Sequence, residues 1–311
     1  MSYVWALQGA AAQGVIWSIM ALGVYITFRV LDFPDMTCDG SFALGGCTSA
    51  ILMVALGMNP FLTLIVALIA GGVAGLVTGL LHTKCKIPNI LAGILTMSAL
   101  YSVDLRIMGG SSNTSLIGMN TLFAIIKNIL PESLKSVKNY SNWVVLIVGI
   151  LFVIAVVMFI YWFFGTETGC ALRATGNNED MVRALGENTD KMKIVGLVLG
   201  NALIALSGAL VAQSQGYGDV GMGSGTIVMG LASIVIGEVV MSRAKTFKFR
   251  LISIVVGSVI YRAIIALVLQ LGLNTGDLKL LTAIVVAVAL SIPNFKKVVI
   301  KKKPEEVEKS C

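Results

Sequence analysis

The chain has 311 residues, 57% hydrophobic and 13% charged, with a net charge of +7 and a mean hydropathy of +0.90. A soluble domain carries about a quarter of its residues as Asp, Glu, Lys or Arg, so a soluble enzyme is excluded and an integral membrane protein is expected. The apolar residues come in continuous blocks with 33 glycines and only 6 prolines, which points to closely packed helices and away from a barrel's alternation.

Residues 1–28 hold no charge and Arg29 follows them. That order is the reverse of a secretory signal peptide and predicts an uncleaved first span with its N-terminus outside. A break at 30–40 carries Asp32, Pro34, Asp35, Asp39 and Gly40, and 42–58 resumes the helix up to the turn Asn59-Pro60. Residues 61–81 span back towards His82, Lys84 and Lys86. Residues 87–108 cross again, with Asp104 and Arg106 expected at the interface. Residues 109–142 form the main external loop, with a surface helix at 122–130. The uncharged run 143–164, bounded by Trp143, Tyr161 and Trp162, has the length and aromatic ends of a span.

The polar stretch 165–193 follows. Asn177 or Asn178 suits a helix N-cap, Glu179 and Asp180 suit the positive end of the helix dipole, and Gly186 suits the left-handed residue that ends it. Met181, Val182 and Leu185 fall on one face, with Arg183 beside them. So short a helix is unstable alone, and either its own membrane helices or a partner's groove must hold it. Asn188 offers a cap for the next span.

Residues 194–211 span, and 213–225 hold Asp219 and the glycines 216, 218, 221, 223 and 225, which suit a gate, a lining or a plain loop. Residues 226–241, 251–271 and 280–292 complete the crossings, interrupted by a loop with Arg243, Lys245, Lys248 and Arg250 and followed by a charged tail, 296–311. Most of the 23 basic residues then fall on one side, the cytoplasmic one. This distribution accounts for the pI near 9.2 without a nucleic-acid partner.

The fold class expected is an all-α integral membrane protein, a polytopic bundle of about nine transmembrane helices (eight to ten). Residues 41–48 echo 226–233, each after a Gly-rich or acidic break, and the two copies would run in opposite directions. Broken helices in matching positions of inverted repeats point to a transport path. Asp39, Gly40, Gly45, Gly46, Gly225 and Gly230 are its candidate residues. Asp32, Asp35 and Asp39 suit either a cation or substrate site or solvated helix caps. Within the spans the charges are Glu238 and Arg262, read either as an ion pair or as an interfacial carboxylate and an arginine bonded to carbonyls.

Five scattered cysteines and the single His82 suggest no metal site and no disulfide framework. The pattern G-x-x-x-x-G-K-[ST] is absent, as is the dipeptide Gly-Lys, so no P-loop exists for ATP. An ion-coupled secondary transporter is the alternative of another class; it would need ionisable groups in the spans for coupling, and the sequence offers Glu238 and Arg262.

Residues 169–180 and 185–193 resemble the cytoplasmic loop of bacterial ABC-importer permeases of the branched-chain amino acid and ribose type. Residues 39–46 and 205–210 are similar to the break entering that family's second helix and to its helix after the loop. The likeness covers about 10–295, a single permease domain within 1–295, and is nearest to the branch paired with binding proteins for aromatic amino acids. The resemblance implies a transport subunit, not an enzyme, that forms the path for a small polar solute such as an amino acid, with sugars or nucleosides as alternatives. It also implies a multi-pass protein of the bacterial plasma membrane with a cytoplasmic C-terminus. Its implied partners are separate ABC ATPase subunits that bind the ATP, an extracytoplasmic solute-binding protein and a second permease copy, most simply as a homodimer in the lipid bilayer. Asn177 to Gly186 would then include the coupling helix that seats in the ATPase.

Overall fold

The structure, a computed structural model, describes residues 2–129, 140–241 and 246–270 with a few isolated positions beyond. Among these are eight helices long and apolar enough to cross a membrane. The ninth crossing expected at 280–292 and the tail at 296–311 lie outside the described residues.

Helix α1 (Ser2–Val24) continues through a π-helical segment, Tyr25–Val30, so Arg29 is still helical, and the chain breaks only at Asp32 with φ of 53°. α2 (Thr37–Leu56) ends on Gly57 in the left-handed conformation, and α3 (Pro60–Thr83) begins on Asn59, whose Oδ1 accepts the Phe61 N–H at 3.0 Å. Pro60 fits there because the first turn of a helix leaves its N–H groups free. After α4 (Asn89–Ile107) come a short strand, β1 (Asn113–Ser115), and α5 (Leu122–Ile129), close to the expected surface helix. α6 (Tyr140–Phe163) crosses back to α7 (Glu167–Asn177) and α8 (Glu179–Ala184). α9 (Thr189–Gln215) leads into β2 (Tyr217–Asp219), a 3-10 turn at Val220–Gly223, α10 (Thr226–Val240) and α11 (Phe247–Gln270). β1 and β2 pair antiparallel with Thr114 opposite Gly218. The segments after α4 and after α9 therefore lie on one side.

The packing carries the inverted relation. α1 lies along α11 while α9 lies along α3, and α2 packs on α9 as α10 packs on α1. Exchanging α1, α2 and α3 for α9, α10 and α11 reproduces these contacts, and α1 and α9 cross in opposite directions. The two echoing segments differ by about a turn in placement, since residue 226 opens α10 whereas residue 41 lies within α2.

Glycine makes the closest contacts possible. A Cβ at Gly45 would fall on the Ala205 carbonyl, and one at Gly208 on the Phe42 carbonyl, so α2 and α9 touch backbone to backbone. In lipid, where apolar burial drives helix association little, close packing and interhelical hydrogen bonds do that work. Ser207 and Ser258 accordingly donate to the carbonyls of Ile16 at 3.0 Å and Gly14 at 2.8 Å. Ile65 and Ile69 of α3 and Leu151 and Ile154 of α6 stand exposed on the outer faces, as suits helices set in hydrocarbon.

Candidate functional site

The two breaks meet. Asp35, fully buried, accepts the Thr37 N–H at 2.9 Å and so caps α2, while its other oxygen accepts from Asn201 Nδ2 at 2.6 Å. Asn201 Oδ1 in turn accepts the Ser41 hydroxyl at 2.7 Å. Asp39, in the first turn of α2, reaches across to α10. Its oxygens accept from the Thr226 hydroxyl at 2.7 Å and from the N–H groups of Gly225 and Ile227, each at 3.0 Å. A carboxylate placed at those free amides also meets the positive end of the α10 dipole. The capping alternative for the three carboxylates thus holds for Asp35 and Asp39, but solvation does not hold for Asp35; Asp32 is the exposed one.

The segment before α10 runs back along α2. A Cβ at Gly218 would meet Ala50 and Gly46, and one at Gly223 would meet the Asp39 carbonyl. Only small residues let these backbones come together. Beside this contact lies a cavity of about 410 Å³, lined by Asp39 and Gly40 of α2, by Met97, Tyr101 and Asp104 of α4, and by Val220, Gly221, Gly223 and Ser224. Of the six candidate path residues, Asp39 and Gly40 face the cavity, and Gly225, with φ of 87°, adjoins it. Gly45, Gly46 and Gly230 are spacing positions in closed contacts, against Ala205, Met222 and the pair Met20 and Val24.

Asp104, in the last turn of α4, is 1% exposed, and neither carboxylate oxygen has a hydrogen-bond partner among the described residues. Glu238 and Arg262 are not a pair. Glu238 takes both Nε and Nη2 of Arg29, at 3.2 and 3.1 Å, and Arg262 stacks over Trp17 at 3.9 Å. The π-helical extension of α1 carries Arg29 to the end of α10, where its fork matches the carboxylate better than the distant Arg262.

At the polar loop, Asn178 rather than Asn177 is the cap. Its Oδ1 accepts the Met181 N–H at 3.0 Å, Asn188 does the same for Lys191 at 3.1 Å, and Gly186 has φ of 91°. Asn177 ends α7 and lines a recess with Arg29, Arg173, Arg250 and Met181. The apolar face of α8 divides: Val182 is buried at 2% exposure, while Met181 and Leu185 stand out at 48% and 76%. Val182 therefore anchors α8 to its own chain and cannot be part of a docking knob. α7 was not foreseen, although Thr166, which caps it by accepting the Gly169 N–H, and Glu167 in its first turn are the local signal.

Glu179 ties α8 to α9. It pairs with Arg183 at 2.9 Å and Lys193 at 2.7 Å and accepts the Thr189 hydroxyl at 3.1 Å, leaving Asp180 exposed. Burial raises its affinity for a proton, but Lys193, Thr189 and Arg183 together hold its carboxyl below the ordinary 4.5. Its contribution is present above that value and is lost as pH falls through the lowered one. Amide-exchange protection of α8, corrected for the intrinsic pH dependence, is expected to stay flat from pH 7 to about 5 and to fall below about 4. Glu179→Gln should show the reduced protection already at pH 7, and an unchanged profile in that variant would refute the role.

The family model described as the permease component of branched-chain amino acid transport systems matches residues 6–292. The chain is 42% identical over 283 residues to the tyrosine transport system permease protein of Clostridioides difficile, covering 91% of this chain and 90% of that one. It is 26% identical over 216 residues to a probable branched-chain amino acid transport permease protein of Methanocaldococcus jannaschii, covering 65% and 64%. It is 27% identical over 197 residues to a ribose import permease protein of Escherichia coli, covering 63% and 57%. Among solved structures it is similar to PsaBC from Streptococcus pneumoniae in complex with Fab, with a TM-score of 0.49, 16% identity and coverage of 91% and 89%.

Proposed function

The chain belongs to the branched-chain amino acid transport system permease family of ABC importers, and from that premise we propose that it forms the membrane path for an amino acid with an apolar or aromatic side chain. The observation that carries this reading is the junction of Asp39 with the N-terminus of α10 beside a cavity walled by Asp39 and Asp104. Irregular backbone at membrane depth persists only where protein buries it or where it lines a path. The substrate class follows the full-length relative named for tyrosine transport, since the ribose permease matches a smaller part of the chain.

The cavity opens between α2, α4 and the segment before α10, and a second copy of the chain would close it into a path at the dimer axis. The side bearing α7 and α8 faces the cytoplasm, and the N-terminus lies outside. Met181 and Leu185 enter a groove of a separate ATPase, and an extracytoplasmic binding protein delivers the solute from the side of β1 and β2.

Leu185→Asp tests the docking surface, because Leu185 is exposed and its loss leaves the fold intact. Central apolar anchors carry most of an interface's energy, so the variant is expected to lower recovery of a co-purifying P-loop ATPase at least about tenfold with unchanged yield of permease. Undiminished recovery would rule out this face. Recovery of no ATPase with wild type, from membranes solubilised under conditions that preserve complexes, would rule out the assembly.

A further inference from the structure

Asp104 has no structural task that the described residues reveal. Asp35 and Asp39 each cap a helix, Asp219 accepts the Gly221 N–H at 2.7 Å, and Glu238 pairs with Arg29. Asp104 alone among the described, buried carboxylates has both oxygens unpartnered, and it forms part of the cavity wall. Burying a polar group without a partner costs free energy that a fold does not recover from packing. A buried, unpartnered carboxylate belonging to a residue of the cavity wall is therefore an acceptor within reach of a donor that enters there.

The surroundings say which donor. Met97, Tyr101 and Asp104 follow at intervals of four and three residues, which places them along one face of α4. The thioether and the phenol ring give an apolar wall, and the carboxylate stands at one end of it. Among the described residues the cavity lining contains no Lys, Arg or His, so no protein cation can neutralise Asp104 from within. About 410 Å³ is room for a solute of amino-acid size.

We infer that this cavity is a station on the solute path that recognises a primary ammonium group, with Asp104 as its acceptor and Met97 and Tyr101 as the wall for an apolar or aromatic side chain. The inference rests on the permease reading and sharpens it. Selection of an amine at this point favours amino acids over sugars, which offer no cation. A charge-assisted hydrogen bond in a desolvated setting discriminates strongly against a ligand lacking the donor.

The full chain, in nanodiscs of phosphatidylcholine and phosphatidylglycerol that contain no primary amine, is titrated with L-tyrosine and with 3-(4-hydroxyphenyl)propionate, which lacks the amine. Binding is read by saturation-transfer NMR. Wild type is expected to prefer tyrosine by at least about tenfold, Asp104→Asn to lose that preference while still binding the amine-free solute, and Asp104→Glu to regain part of it. Equal preference in wild type and Asp104→Asn, or no binding of either solute to wild type, overturns the inference. Loss of tyrosine binding when phosphatidylethanolamine is included would assign the site to a lipid headgroup and overturn it as well. Co-purification of the ATPase, which does not depend on Asp104, reports separately on the importer reading.

Discussion

Replacing Asp39 by leucine is expected to abolish solute uptake and to lower the yield of folded protein sharply. Three donors, the N–H groups of Gly225 and Ile227 and the Thr226 hydroxyl, converge on this one carboxylate from the other half of the chain. Leucine leaves them unpaired in a half-buried place, where each stranded donor costs up to about 1–3 kcal/mol. That is a large part of the total stability of a typical domain, about 5–15 kcal/mol. The Cβ-free approach of Gly223 to the Asp39 backbone would then hold only by packing. Asp39→Asn keeps one acceptor oxygen and is expected to fall between wild type and leucine. Thermal unfolding in detergent and uptake of labelled tyrosine by cells check the two effects together. Near-normal uptake by Asp39→Leu would show that the junction of α2 with α10 is dispensable.

What could be read in the sequence was what is local. Spans follow from runs of apolar residues, and the caps at Asn59, Asn178 and Asn188 and the left-handed Gly186 follow from short-range hydrogen bonding and backbone sterics. The acidic break was visible too, but not its use, because Asp35 and Asp39 find partners 166 and up to 188 residues away. Spacing put Met181, Val182 and Leu185 on one face; which of them turns inwards depends on the elements beneath, and Val182 does. Glu238 and Arg262 read as a candidate pair because both sit in apolar runs. The π-helical segment that brings Arg29 to Glu238 has no comparable signature. Asp104 near the end of an apolar run reads as interfacial, and nothing in its neighbourhood announces that it shares a cavity with the segment before α10.

The second large effect concerns the deeper of the two locks. Asn201 is fully buried at the centre of α9, donating to Asp35 at 2.6 Å and to the Leu197 carbonyl at 3.0 Å while accepting from Ser41 at 2.7 Å. Asn201→Leu leaves a buried carboxylate oxygen and a buried hydroxyl without partners. A loss of roughly 3 kcal/mol or more is expected, with little folded protein recovered. If polar satisfaction is the cause, removing the other partner should relieve it, because replacing both members of a buried polar pair by apolar groups is often close to neutral. Asp35→Leu combined with Asn201→Leu is therefore expected to unfold at a higher temperature than Asn201→Leu alone, although the double variant also forfeits the cap on Thr37. Strict additivity of the two losses would mean that the side chains act independently, and that the first break is held by packing around Leu31 and Phe33 rather than by the hydrogen bonds of Asp35.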